Sequence, residues 1–191
     1  PHRTKGEGFF LAVLRKHEGV VETIQPRPEK KKKGKDTKKA PQLVVPKEAK
    51  SWLKDADVFE YTVKDTSVHA FPKTFSDVYT LLEQYVKVLH AGVTLGEMKG
   101  KDLIPHHSLA MSTALADVFP KAEVAYEQAI AYLRKEGLVL DPNIPRGYVL
   151  LTYRQVPLGF VKNIGNRANN LYPQEWRIRT GYMPEEIVTV F

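Results

Sequence analysis

Apolar and polar residues alternate along two short stretches near the middle of the chain. This period of two predicts β-strands over Val58–Val63 and Val68–Phe71, joined by a polar turn at Lys64–Ser67. A different pattern occurs near the start, where Phe9–Leu14 is apolar at every position. Such a run predicts a strand buried on both faces, and we expect it to be the last strand of a sheet whose other strands are not in this chain.

The next segment has helical spacing. Thr74 is a candidate helix cap, and the apolar residues that follow it share one face of a helix at Val78, Leu81 and Leu82. We predict that this helix ends at about residue 83. Helical spacing could continue to residue 89, but residues 85–89 also alternate, and we predict a strand there. A turn at Gly92 then leads into a predicted strand over Val93–Met98.

Two helices are predicted between Pro105 and Gly137. The first follows Pro105, ends before Pro120, and carries Leu109, Ala110 and Leu115. The second covers Lys121–Glu136 and ends at Gly137. The residues of the second helix that we expect to face inward are Ala125, Ala129, Tyr132 and Leu133.

The C-terminal part returns to strand patterns. Tyr148–Arg154 and Leu158–Ile164 predict a hairpin, although the segment between them lacks the Asn-Gly or Asp-Gly expected of a two-residue loop. Further short strands are predicted at Trp176–Thr180 and Ile187–Phe191. Strands outnumber helices and most connections are short. The predicted fold class is therefore α+β, with a partly closed β-barrel and flanking helices in the C-terminal half.

The net charge of +7 is concentrated in two segments. Residues 26–41 hold eight basic and two acidic residues, and residues 146–179 hold six basic residues and one glutamate. The rest of the chain is mildly acidic, and this distribution is typical of proteins that bind polyanions. The first segment lies in a linker predicted over residues 19–50. Its lysines are compatible with a flexible tether and with a phosphate-binding arm, and a membrane-surface patch ranks last. The lysines of the predicted phosphate arm are Lys30, Lys31, Lys32, Lys33 and Lys35.

Several kinds of chemistry are disfavoured by the sequence. It contains no cysteine, and this excludes disulfides, thiolate nucleophiles and cysteine metal ligands. The adjacent His106 and His107 point in different directions and no third ligand has suitable spacing, so we predict no metal site. The glycine-bearing turns do not extend to a nucleotide-binding motif, and no serine-nucleophile motif occurs. No apolar run has the length of a membrane span, and we predict neither a catalytic residue nor a membrane partner.

The strongest candidate surface lies in residues 157–179, where basic, asparagine and aromatic side chains are interleaved with little acid. Basic side chains neutralise phosphates, asparagine amides read base edges or sugar hydroxyls, and aromatic rings stack on unpaired bases. A solvated hairpin with a long turn is the alternative. Two placements are open for Trp176. We favour a core anchor, since tryptophan is usually buried, and an RNA-facing ring is the alternative. The predicted RNA-binding residues, which include two lysines of the loop at 96–101, are Lys162, Asn163, Asn166, Arg167, Asn169, Asn170, Tyr172, Arg177, Arg179, Lys99 and Lys101.

Four segments carry a resemblance to a known family: PHRTKGEGFFLAVLRK, GVTLGEMKGKDLIPHHSLAM, AYLRKEGL and PLGFVKNIGNRANNLYPQEWRIR. The first resembles the end of the catalytic domain of bacterial Sun/Fmu-type rRNA (cytosine-5) methyltransferases of the RsmF-like branch. The others resemble the C-terminal extension of the same branch. The resemblance covers essentially the whole chain, and the linker is its weakest part. Gln155 departs from the turn glycine that many relatives carry there.

The resemblance implies a parent protein that is a cytoplasmic, S-adenosylmethionine-dependent rRNA methyltransferase with a PUA-like RNA-binding domain. The chain then divides into the tail of the catalytic domain (1–18), the linker (19–50), an α+β subdomain (51–104) and the PUA-like domain (105–191). The family uses two cysteines for its chemistry, so we expect this chain to be inactive and to bind no cofactor. Its expected role is to recruit rRNA for the missing catalytic domain. The alternative is a protein-interaction domain that docks on the catalytic domain or on a ribosomal protein.

Overall fold

The computed structural model describes residues 44–100 and 102–181. The predicted strand Phe9–Leu14, the lysine-rich part of the linker and the predicted strand Ile187–Phe191 lie outside the described residues. The same holds for Lys101.

The first sheet is an antiparallel meander of four strands in chain order. Half-buried and exposed residues alternate along its first strand, as expected for a strand with one covered face. The strands predicted at 58–63, 68–71 and 93–98 are confirmed, each to within one residue at either end. The fourth strand is not apparent in the sequence pattern. The strands are β1 (Phe59–Lys64), β2 (Ser67–Pro72), β3 (Val93–Lys99) and β4 (Asp102–Pro105).

Two helices accompany this sheet, α1 (Lys47–Ser51) before it and α2 (Ser76–Tyr85) between β2 and β3. The cap predicted at Thr74 is wrong, because a short 3₁₀ helix covers Lys73–Phe75 and no side chain caps α2. The strand predicted at 85–89 is also wrong. The backbone N–H of Val86 donates to the carbonyl of Leu82 at 2.9 Å, so the chain completes a helical turn instead of pairing with a strand.

The second sheet also has four strands in chain order; its first pair is parallel and the others are antiparallel. The predicted hairpin is confirmed, and it has a two-residue turn. Arg154 and Gln155 occupy that turn with φ of 50° and 66°, the type I′ geometry that the twist of the flanking strands favours. The strands are β5 (Lys121–Glu123), β6 (Gly147–Tyr153), β7 (Val156–Asn163) and β8 (Ala168–Asn170).

The helix predicted after Pro105 is much shorter in the structure. It is α3 (His107–Ala110), which begins where the Nδ1 atom of His106 accepts a hydrogen bond from the backbone N–H of Ser108. Leu115 is not helical and forms an isolated bridge with Leu53. The pairing with a residue before the first sheet thus overrides the helical spacing.

The helix predicted over Lys121–Glu136 is shorter too, because its first residues form β5 in register with Leu150 to Thr152 of β6. Exposed and buried residues alternate over residues 121–125, which is the period of a strand. The helix itself is α4 (Tyr126–Leu133). It buries Ala129 and Tyr132 as predicted, whereas Ala125 is exposed at its N-terminus.

The strand predicted at Trp176–Thr180 is wrong. A 3₁₀ helix covers Gln174–Trp176, and residues 177–181 have no regular structure. The segment is held by a backbone hydrogen bond from Ile178 to the carbonyl of Leu133 at 2.9 Å, which joins it to the end of α4 and not to a sheet.

The second sheet supplies side chains to two hydrophobic clusters. Leu150 and Phe160 pack with α1, α3 and the first sheet, while Val149, Leu151 and Val161 pack with α4. The α+β class is confirmed. Within residues 44–100 and 102–181 the strands form two four-stranded sheets and no closed barrel. The boundaries of the predicted domains stay a prediction. None of the described helices combines the length and the apolar character that crossing a membrane requires.

Candidate nucleic-acid interface

One row of predicted site residues crosses the outer strands of the second sheet. Lys162 of β7 is paired with Tyr148 of β6 on one side and with Asn169 of β8 on the other. Residues paired in this way project from the same face of a sheet. The ammonium group of Lys162 lies 5.3 Å from the centre of the Tyr148 ring and 3.7 Å from a carboxylate oxygen of Asp102. The ring and the carboxylate therefore hold this lysine in place at the surface.

Lys99 belongs to the same region. It is the register partner of Asp102 in the pair β3–β4, and Asp102 is the residue whose carboxylate reaches Lys162. The fold thus brings together two predicted lysines that are 63 positions apart in the sequence. The prediction of a loop at Lys99 is wrong, because Lys99 is the last residue of β3. Both lysines are therefore on regular strands, which position side chains more precisely than a loop does.

Two arginines lie where β6, β7 and β8 meet the loop 164–167. Gly147, Asn163 and Ala168 are neighbours across the sheet, so Arg146 and Arg167 flank the same end. Gly165 makes room for one of them, since a Cβ atom there would lie 3.0 Å from the Nε atom of Arg146. We call this surface the basic end of the second sheet, and define it as Arg146, Lys162, Asn166, Arg167 and Asn169.

Arg146 is the member of the basic end that sequence reasoning missed. It precedes β6 by one residue and stands outside the asparagine-rich stretch, but the signal was available in the predicted hairpin. The residue before the first strand of a hairpin lies beside the residues that follow the second.

Asn163 and Asn170 are placed differently from the other predicted asparagines. The amide nitrogen of Asn163 donates to the carbonyls of Ile144 and Pro145, and its oxygen accepts from the N–H of Gly165. The amide nitrogen of Asn170 donates to two carbonyls at the end of α4, and its oxygen accepts from the N–H of Tyr172. Their amides are occupied by the fold, and we leave both out of the proposed RNA contacts.

Tyr172 also has a structural environment. Its half-buried ring lies edge-on to the rings of His107 and Tyr132, at centroid distances of 5.1 and 5.4 Å. Its carbonyl accepts a hydrogen bond from the ammonium group of Lys135. Trp176, by contrast, is 58% exposed, so the expectation of a core anchor is wrong. Arg177 and Arg179 follow it, are exposed, and line a pocket with Arg134 of the end of α4.

A cleft lies between residues 171–175 and the segment formed by β4 and α3. It is lined by His106 and His107, for which no metal site was predicted. His107 is buried, and no hydrogen-bond partner for its Nδ1 atom is found among the described residues. Burial lowers the pKa of His106 and of His107, and for His107 the neighbouring His106 lowers it further. Within residues 44–100 and 102–181, no three histidine or carboxylate side chains are grouped closely enough to hold a metal ion.

These histidines make stability depend on pH. Burial also lowers the pKa of His69, so three histidines have a lower pKa in the folded state than the ordinary value of 6.5. The unfolded chain then binds more protons below that value, and stability falls as the pH drops. We expect the thermal midpoint to decrease between about pH 7.5 and about pH 5.5, a window above the range in which carboxylates titrate. His107→Gln should reduce this slope in differential scanning calorimetry, and an unchanged slope would contradict the assignment.

Comparison with known proteins supports the resemblance seen in the sequence. Residues 119–178 match the family model described as the Methyltransferase RsmF PUA domain. This range contains β5–β8, α4 and all five residues of the basic end, and its fold is PUA-like.

Curated relatives extend the similarity along the chain. It is 26% identical over 181 residues to the ribosomal RNA small subunit methyltransferase F of Serratia proteamaculans. It is 28% identical over 184 residues to the protein of the same name from Erwinia tasmaniensis, and 28% over 187 residues to that from Photobacterium profundum. Each alignment covers 92% of this chain and 36% of the relative. The predicted resemblance to the RsmF-like branch is confirmed, and the chain spans about a third of the length of these relatives.

Proposed function

We propose that this chain is the RNA-binding module of an S-adenosylmethionine-dependent rRNA (cytosine-5) methyltransferase, and that it recruits and orients rRNA for the catalytic domain. The similarity to methyltransferases named for small-subunit ribosomal RNA supports the substrate class. A cytoplasmic location is part of this proposal, since the substrate would be rRNA. The chain itself contains no cysteine, which supports a role in binding and not in methyl transfer, and the cofactor would bind to the rest of the parent protein.

The basic end of the second sheet is the observation that carries the proposal. Arg146 and Arg167 project from one end of three paired strands, and Lys162 lies on the adjoining face. Asn166 and Asn169 are exposed between these cations and offer amide donors and acceptors. Cations that neutralise phosphates next to amides that can reach bases or 2′-hydroxyls are the combination that RNA recognition needs.

The salt dependence of RNA binding tests the proposal. In a filter-binding titration against fragments of small-subunit rRNA, the logarithm of affinity should fall linearly with the logarithm of salt concentration, with a slope of about −0.7 per phosphate contacted. Arg146→Gln/Arg167→Gln removes two of these contacts and should make the slope shallower by about 1.4.

A variant with the same change in charge elsewhere is the control for this experiment. Lys87→Gln/Arg154→Gln changes two exposed cations, and Arg154 lies in the turn at the opposite end of the β6–β7 hairpin, about 20 Å away. This variant should keep the parent slope. Equal slopes for the parent and both variants would rule out the basic end as the RNA-contacting surface.

A second function, docking of a protein partner, is favoured by the apolar surface of α2 and its flanking residues. No residue of α2 is buried, and large apolar side chains are exposed along this segment at Phe75, Val78, Leu82 and Leu89. Contiguous exposed apolar surface of this kind is typical of interaction sites. Docking by such a surface would be nearly independent of salt, so the titration above separates the two functions.

A further inference from the structure

Trp176 is an aromatic residue whose side chain is largely exposed to solvent. It ends the 3₁₀ helix Gln174–Trp176 and is 58% exposed. Among the described residues its ring has one aromatic neighbour, His107, at a centroid distance of 5.4 Å and an angle of 78°. A large aromatic ring that burial does not use has free surface for a ligand.

Hydrogen bonds on both sides hold the backbone around Trp176 in place. Before it, the N–H of Tyr172 donates to Asn170, and the carbonyl of Tyr172 accepts from Lys135. After it, the N–H of Ile178 donates to the carbonyl of Leu133 at 2.9 Å. The indole is therefore presented from a segment fixed to the end of α4, so that little conformational entropy is lost when a ligand binds.

Three arginines line a surface pocket formed by the residues that follow Trp176 and the end of α4. Arg134, Arg177 and Arg179 line one surface pocket, and Glu136 is the acidic residue that lines it with them. Arg134 is at the C-terminal end of α4, whereas the other two come directly after Trp176 in the sequence. The pocket therefore carries a net positive charge beside the exposed indole. Guanidinium groups match phosphate oxygens in geometry as well as in charge.

Unpaired nucleotides have the two features that this surface matches. A base presents a flat face that stacks on an indole, and its phosphate is an anion. Bases inside a duplex are stacked on one another and do not offer that face. An acidic peptide would satisfy the arginines but would make no use of the exposed ring, so single-stranded RNA is the better fit.

We infer that Trp176, Arg134, Arg177 and Arg179 form a subsite for a nucleotide of single-stranded RNA, with the base stacked on the indole and a phosphate held by the arginines. This inference rests on the proposed function and adds a second contact region to it. The basic end holds the RNA backbone and edges, and the Trp176 subsite captures an unpaired base.

Intrinsic fluorescence tests this subsite directly, because the chain has two tryptophans in very different environments. Trp52 is 7% exposed and Trp176 is 58% exposed. Stacking of a base on Trp176 should quench its emission when oligouridylate is added to the full chain. Trp176→Phe should abolish this quenching. Trp176→Ala should keep the thermal midpoint of the parent and weaken oligouridylate binding about 5- to 150-fold.

The possible outcomes separate this inference from the proposed function. If rRNA fragments bind in the filter assay while oligouridylate causes no quenching and Trp176→Ala binds it like the parent, the subsite is wrong and the proposed function stands. If no RNA binds at all, both are wrong. Quenching by polyglutamate as strong as that by oligouridylate would overturn the assignment to RNA in favour of an acidic protein partner.

Discussion

Gly159→Ala is expected to destabilise the protein by about 3–5 kcal/mol, which combines backbone strain with overpacking. Gly159 has φ of +144°, a conformation that residues with a Cβ atom rarely adopt. A Cβ atom there would also lie 2.1 Å from the hydroxyl of Tyr132 and 2.9 Å from the Nδ1 atom of His107. Both side chains are buried, and the hydroxyl of Tyr132 donates to the carbonyl of Phe160, so neither can move away freely.

Thermal unfolding measures this effect, with Gly137→Ala as the control. Gly137 lies just after α4, and a Cβ atom there would meet nothing within 4 Å. Its substitution should leave the midpoint almost unchanged, whereas Gly159→Ala should lower it by roughly 10 °C. A decrease of less than about 2 °C for Gly159→Ala would mean that the packing of β7 against α3 and α4 is looser than the structure indicates.

Asn163→Ala is expected to destabilise the protein by about 2–3 kcal/mol, because it removes three hydrogen bonds between a buried amide and the backbone. Asn163 is 5% exposed, and its amide joins the segment before β6 to the loop after β7 through hydrogen bonds of 3.0–3.1 Å. These bonds hold the loop that carries Arg167 beside Arg146. We therefore expect Asn163→Ala to lower the stability of the fold, and RNA binding to weaken only as a consequence of that lower stability.

Asn169→Ala is the matched control for Asn163→Ala. Asn169 is paired across β7–β8 with Lys162, the residue before Asn163, and is exposed in the basic end. Its substitution should leave chemical denaturation within about 0.5 kcal/mol of the parent and weaken binding of rRNA fragments. The reverse pattern, in which Asn163→Ala is as stable as the parent but binds RNA poorly, would restore Asn163 as an RNA contact.

Elements whose partners are close in sequence could be predicted from the sequence. β1 with β2, and β6 with β7, are hairpins joined by turns of two residues. β1 alternates over six positions, whereas β6 and β7 are largely apolar runs of seven and eight residues. The inward residues Ala129 and Tyr132 of α4 follow in the same way from helical spacing. In each case the pattern of the apolar residues and a nearby partner indicate the same structure.

β5 and the short length of α3 could not be predicted from the sequence, because the partners that determine them are far away in the chain. Residues 121–123 are strand because they pair in parallel with β6, which begins 24 positions later. Three residues do not establish a period, and Lys121–Glu136 has the composition of one continuous helix. A parallel partner that far away is a tertiary contact, and it overrides local helix propensity.

The asparagines of the candidate site show the same limit at the level of single side chains. Alternation along β7 and β8 places Lys162 and Asn169 on the surface and turns Asn163 and Asn170 inward. The three-residue strand β8 is too short to be recognised from its pattern, so all four asparagines look equivalent in the sequence. Trp176 is the converse case, since an aromatic residue expected in the core lies exposed beside the arginines.

The sequence by itself determined the α+β class, the hairpins, the concentration of positive charge and the resemblance to RsmF-like methyltransferases, because each of these is contained in local pattern or composition. Only the tertiary structure decided which charged side chains lie close together. Arg146 joins Arg167 through strand pairing. Asp102, the strand partner of Lys99, reaches Lys162 of the other sheet, and Arg134 joins Arg177 through the bond that fixes Ile178 to α4. A binding surface is a set of distances between residues far apart in the chain, and those distances are fixed by packing.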